Sequence, residues 1–120
     1  MKMRSRVKLD DRLVAFSCDV CNELENCDSS FAQVNLVKQL TRSATSVTLN
    51  FSEALSAESP KDDIHKMKVG LKELNETRYG LRILLGIKGS GSSEIERLLI
   101  ESGELVGIFV GCIRTAEKRL

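Results

Sequence analysis

The sequence contains a single histidine, His65, in 120 residues, and this scarcity removes several chemistries. Carboxylate bundles that hold two metals need a Glu-x-x-His pair on each of two helices, so Glu53, Glu73 and Glu76 cannot form such a centre with one imidazole. A zinc site is equally short of ligands. Cys18 and Cys21 have metal-ligand spacing, but only Cys27, Cys112 and His65 remain to complete a set, with no second Cys or His pair among them. No strand precedes C-D-V-C, so a thioredoxin-like role has no support. The expectation is no metal and no cofactor, with the cysteines as small, reduced packing residues. Also missing are a nucleophile–base–orienter set within one segment and a glycine-rich phosphate loop after a strand. The glycines of KGSGSS at 88–93 join two helices and read as a flexible link. An enzyme is not expected.

An excess of either charge is missing as well. Eighteen Lys and Arg stand against 17 Asp and Glu, a net charge of +1, so nucleic acid or anionic lipid would have to be met by a local patch. Long apolar runs are absent: LVGIFVGCI at 105–113 is about half of the ~20 residues that a membrane span requires. The basic opening MKMRSRVK is followed by Asp10, Asp11, Arg12, Asp19 and Glu23 rather than by the apolar core of a secretory signal. The expectation is a soluble, cytoplasmic protein with no membrane partner.

What is present is helical periodicity. Leu9, Leu13, Phe16, Val20 and Leu24 mark a helix over about 10–27. Leu36, Leu40, Val47, Phe51 and Ala54 mark a second over 31–57, and Ile64, Met67, Leu71, Leu74, Leu81 and Leu85 a third over 60–87. Ile95, Leu98, Leu105, Phe109 and Cys112 mark a fourth over 93–118. Ser30 with Gln33 and Ser93 with Glu96 fit the capping box. Ser59 before Pro60, with Asp62 and Asp63 in the first turn, suits a third helix start. Short separators between long helices favour antiparallel neighbours. The chain reads as all-α, an antiparallel up-down four-helix bundle over 9–120 behind a basic N-terminal tail at 1–8.

Three helix faces carry more than packing. On the fourth helix, residues 105–113 lack charge on every face, and a helix apolar all round is covered all round. Gly103, Gly107 and Gly111 recur at i, i+4, i+8, and glycine costs roughly 1 kcal/mol against alanine within a helix. With Val106 and Val110 they are the candidate subunit interface; a tight contact within one chain is the alternative. On the third helix Lys61, His65, Lys68, Lys72 and Arg82 form a basic stripe interrupted by one aromatic, Tyr79, which could meet phosphates without sequence preference. Its alternative is a solvated face with i, i+4 ion pairs, Lys72 with Glu76 and Asp62 with Lys66. On the second helix Gln39, Arg42, Ser46, Asn50 and Glu53 run parallel to the core face. Amides and hydroxyls with one Arg suggest a structural polar seam, with Arg42 reaching Glu73 or Glu76 and Asn50 bonding across a helix pair.

The stretches LVKQLTRSATSVTLNFSEA and MKVGLKELNETRYGLRIL resemble the bacterial four-helix bundle proteins encoded in 23S rRNA intervening sequences, some of which carry a ribosomal-protein-like name. The resemblance spans about 9–118 and is most specific over 36–85. It rests on Gln39, Arg42, Ser43, Ser46, Val47, Asn50, Glu53 and Ala54, then Leu71, Glu73 and Leu74. Leu55 and Gly70 stand where the family pattern commonly has Gly and Ser, and the opening helix lacks the family's aromatic-rich signature. The resemblance implies an antiparallel bundle assembled into a ring-shaped homopentamer. A similar fold serves as the accessory protein of diversity-generating retroelements, where a basic pentamer binds a reverse transcriptase and nucleic acid; the near-neutral charge here transfers that role poorly.

Two functional classes follow. One is a homo-oligomeric scaffold whose partners are itself and another protein. The other is an RNA- or DNA-associated protein, or a partner of a reverse transcriptase, that multiplies weak contacts from the third-helix stripe and the basic residues Lys2, Arg4, Arg6 and Lys8. Balanced charge favours the scaffold.

Overall fold

A computed structural model describes residues 3–27, 30–88 and 92–120. Four helices follow one another: α1 Met3–Leu24, α2 Phe31–Leu55, α3 Pro60–Lys88 and α4 Ser93–Lys118. Contacts between neighbours run in opposite residue order. Ser17 and Leu13 meet Ala44 and Thr48, Arg42 and Glu53 meet Glu76 and Lys66, and Arg12 and Asp19 meet Glu101 and Arg97. Each pair is therefore antiparallel, and the chain is an up-down four-helix bundle, 47 × 22 × 20 Å.

The core is the set of positions that the period selects. Leu9, Leu13, Phe16, Val20 and Leu24 of α1 are all buried, as are Ile95, Leu98, Leu105, Phe109 and Cys112 of α4. On α2 and α3, Leu36, Leu71 and Leu85 sit only at the margin, whereas Leu84 is fully buried. Phe51 and Phe109 face each other at the centre, ring centroids 6.1 Å apart and tilted by 49°, an arrangement that avoids stacked negative π-faces.

Of the three expected helix starts, the one at Ser59 is built in full and the one at Ser30 in half. Ser30 accepts from the Gln33 amide at 3.4 Å, but the buried Gln33 Oε1 accepts nothing in return among the described residues, so the capping box is half formed. Ser59, immediately before Pro60 and with the acidic pair in the first turn behind it, accepts from the Asp62 amide at 3.1 Å. At α4 the cap is Ser92 instead of Ser93. Its extended backbone lets the hydroxyl accept from the Ile95 amide at 3.4 Å, and Glu94 and Glu96 then both fall in the first turn, where the helix dipole favours them.

The first helix departs further from expectation. It begins at Met3 and ends at Leu24, so the segment read as a separate tail at 1–8 is largely helix. Arg6 locks it to α3, donating from both terminal nitrogens to the Asp63 carboxylate at 2.9 Å each. Lys2 and the side chain of Arg4 lie outside the described residues, as do residues 89–91 of the 88–93 link.

Two hydroxyl bridges cross helix pairs inside the bundle. Ser17 donates to the Ala44 carbonyl at 2.8 Å and lies 2.6 Å from Thr48, which reaches the Leu13 carbonyl at 3.1 Å. Thr77 and Ser43, both fully buried, place their hydroxyls 2.9 Å apart between α2 and α3. Sliding would break these bonds between helices, although Ser43 and Thr77 also have acceptors in their own helices, the Leu40 carbonyl at 3.3 Å and the Glu73 carbonyl at 2.9 Å.

Candidate functional site

The polar row of α2 lies along its edge with α3. Arg42 donates from Nη2 to both oxygens of Glu76, at 3.2 and 3.3 Å, and its Nη1 is 3.9 Å from Glu73. Glu53 pairs with Lys66 at 3.0 Å. Asn50 does not bond across the helices. Its amide nitrogen turns back to the Ser46 carbonyl at 2.9 Å, a local acceptor that costs less chain ordering than a remote one. Gln39 is exposed and lines a small groove beside Leu40 and Gly80.

Glu73 is the member of this row with an altered acidity. Its side chain is largely buried and its Oε2 has no hydrogen-bond partner among the described residues. Burial pushes its carboxyl above the ordinary value, a hydrogen bond and charge repulsion from Glu76 add to the rise, and Arg42 and Lys72 oppose it. Between its unfolded and folded pKa values the carboxyl therefore keeps a proton in the folded chain that the unfolded chain has released. The stability linked to it is present below the unfolded pKa and is lost as pH rises through the folded one. Glu73→Gln should accordingly raise the melting temperature over the parent at pH 7 and lose that advantage at pH 4. Paired thermal melts showing the same difference at both pH values would contradict this.

The α3 stripe is exposed along its length: Lys61, His65, Lys68, Lys72 and Arg82 all face outward. It is partly neutralised. Lys68 pairs with Glu117 of α4 at 3.2 Å, and the Arg82 guanidinium carbon lies 5.2 Å from the centre of the Tyr79 ring. Neither expected i, i+4 pair is formed. Lys66 turns to Glu53 across the helix boundary rather than to Asp62, and Glu76 turns to Arg42, whose Nη2 alone engages both carboxylate oxygens. Spacing alone also missed the α1–α4 ion pairs. Arg12 donates to Glu101 at 2.8 and 2.6 Å and holds that carboxyl below its ordinary value; Arg97 reaches Asp19 at 3.0 Å. Nothing in the local sequence signals pairs that stand 78 or more positions apart.

The α4 face divides at Gly103. A side-chain carbon built on Gly103 would lie in ordinary contact with the Arg78 guanidinium, at 3.4 Å, so that position already has a neighbour within the chain. Gly107 and Gly111 have nothing within 4 Å of such a carbon. The glycine track thus does not serve an intrachain helix approach at those two positions. Val106, Ile108 and Val110 beside them are half-buried.

Of the cysteines, Cys112 is buried, Cys21 and Cys27 are half-buried and Cys18 is exposed, so packing does not account for Cys18. Burial raises the thiol pKa of both Cys112 and Cys21, the opposite of an activated nucleophile. Among the described residues no three His, Cys, Asp or Glu side chains converge as metal ligands, and no helix is long and apolar enough to cross a membrane.

None of the curated proteins matches the chain. A solved structure does: the crystal structure, at 1.70 Å resolution, of a protein with unknown function from the S23 ribosomal protein family of Bacteroides thetaiotaomicron VPI-5482. It superposes with a TM-score of 0.78 at 30% identity, over 87% of this chain and 96% of that one. The model of the 23S rRNA-intervening sequence protein family matches residues 10–111, which takes in the polar edge of α2, the α3 stripe and the open α4 glycines. The four-helix architecture and this match agree: the chain belongs to the 23S rRNA-intervening sequence protein family.

Proposed function

We propose that the protein is a non-enzymatic, self-associating scaffold of the cytoplasm that presents its bundle surfaces to a protein partner. The observation that carries this reading is the open face of α4. Gly107 and Gly111 give up helix stability and receive no neighbour within the chain, while Ile100 on the same helix is 68% exposed. A second protein surface would account for both, because close approach of a helix rewards a missing side chain and burial rewards an exposed isoleucine. The ring-shaped pentamer implied by the family resemblance is one arrangement that would provide it. Light scattering of the purified protein at micromolar concentration tests the reading: a defined multiple of the 13.3 kDa chain is expected, and a monomer at every concentration would refute it.

A second reading draws on the outward-facing α3 stripe. Repeated around an assembly, Lys61, Lys68 and Lys72 could hold RNA or DNA phosphates by avidity, alone or beside a reverse transcriptase. The engagement of Lys68 by Glu117 and the nearby Asp62, Glu73 and Glu76 count against it. Structured RNA and duplex DNA titrated across a salt series separate the two. The scaffold reading expects no binding at low salt; binding that falls steeply with salt and is lost in the Lys61→Gln, Lys68→Gln, Lys72→Gln variant would establish the alternative.

A further inference from the structure

The outer side of α3 carries an apolar stripe outside the core. Tyr79, Ile83 and Ile87 recur at i, i+4, i+8 and are 62%, 54% and 48% exposed. Beside them runs a groove of ≈ 130 Å³ between α2 and α3, floored by Leu36, Leu40 and Gly80. Side chains four apart stand ~6 Å apart along a helix, so the stripe is a ridge of knobs at ~6 Å intervals. The same chain holds a track of the same interval without knobs, Gly107 and Gly111 on α4, with the half-buried Val106, Ile108 and Val110 along its sides. Ridge and track are both exposed in one copy, so they do not meet within it.

Charge fixes a direction for their meeting. On α4, Glu104 precedes Gly107 and Gly111 and Arg114 follows them; on α3, Glu76 precedes the ridge and Arg82 lies within it, between Tyr79 and Ile83. All four side chains belong to exposed residues. An antiparallel approach sets Glu76 beside Arg114 and Arg82 beside Glu104, whereas a parallel one opposes Glu76 with Glu104. Glu76 and Glu104 already have intrachain partners in Arg42 and Arg12, but both remain open enough to accept a second cation.

We infer that the α3 ridge Tyr79–Ile83–Ile87 of one copy docks antiparallel onto the Gly107–Gly111 track of α4 in a second copy, with Arg82 facing Glu104 and Glu76 facing Arg114. The inference rests on the self-association proposed above and names its two surfaces. Because these differ, the contact is head-to-tail: every copy offers one ridge and one track, and repetition closes a ring or extends a filament.

Mass determination of the parent protein and three variants tests it. A monomeric parent would overturn self-association and this contact together. If the parent assembles, Ile83→Asp and Gly107→Leu should each leave only the 13.3 kDa monomer. Leucine has a higher helix propensity than glycine, so loss of assembly in Gly107→Leu is not loss of the helix, and unchanged helical circular dichroism checks both variants. Leu49→Asp, at an equally exposed α2 position outside both surfaces, should assemble as the parent does. Mixing the two monomeric variants is the decisive arm. Ile83→Asp keeps a sound track and Gly107→Leu a sound ridge, so native mass spectrometry should find a one-to-one heterodimer and nothing larger. Assembly that survives in both variants, loss of assembly in Leu49→Asp, or a mixture that stays monomeric would each overturn the contact.

Discussion

Phe109→Ala is expected to lower the unfolding free energy by about 3–5 kcal/mol, the usual range for removing a buried aromatic ring. That is a large share of the roughly 5–15 kcal/mol by which a single domain is stable. Phe109 is fully buried, meets Phe51 across the core and packs its edge against Gly70 of α3. On the Gly70 side no side chain can relax into the space, because the neighbour there has none. This predicts a change of sign in a second substitution. With Phe109 present, a β-carbon on Gly70 would lie 3.0 Å from the ring, so Gly70→Ala should gain nothing or destabilise. In the Phe109→Ala background the same alanine enters vacated space and adds helix propensity, and it should stabilise by about 0.5–1 kcal/mol or more. Urea unfolding of the four proteins of this cycle measures the coupling. Equal effects of Gly70→Ala in both backgrounds would mean that the ring and the glycine are not in contact.

Period and caps made the four helices legible, and the reason is that each states its requirement locally. An amphipathic face repeats every turn, and a hydroxyl three residues before a free amide is a short-range bond. Ser92 was misread as Ser93 because adjacent serines both offer that bond and only the backbone conformation chooses between them. The start of α1 was illegible for the opposite reason. Residues before Leu9 show no apolar repeat, and what holds that turn is Arg6 on Asp63, 57 positions away. On the polar edge, Arg42 could be placed against α3 because its long forked side chain searches widely. Asn50 could not, because the Ser46 carbonyl competes within its own helix. The buried hydroxyls were the least visible, since Ser17, Ser43, Thr48 and Thr77 look in sequence like any helix-surface Ser or Thr. On α4 the absence of charge pointed to a face needing cover, and the structure separates Gly103, which lies against Arg78, from the two glycines left open.

Two glycines on α3, six positions apart in one helix, should respond to alanine in opposite directions. At Gly86 an added β-carbon meets nothing within 4 Å. Gly86→Ala therefore collects the helix-propensity difference alone, a gain of about 0.5–1 kcal/mol and roughly 3–5 °C in melting temperature. At Gly80 the same carbon would overlap Cδ2 of Leu40 and lie 2.8 Å from its Cγ. Leu40 is 1% exposed and cannot swing into solvent, so α2 and α3 would have to part. Parting strains the Ser43–Thr77 hydroxyl bridge, which lies one turn away, and the Arg42 contacts beyond it. Overpacking of this kind costs about 1–3 kcal/mol, which exceeds the propensity gain of ~1 kcal/mol. Gly80→Ala should thus lower the melting temperature while Gly86→Ala raises it, in thermal melts followed by circular dichroism. A rise for both would mean that α2 yields to α3 without loss, and the buried hydroxyl bridge would then not be what sets the spacing of this helix pair.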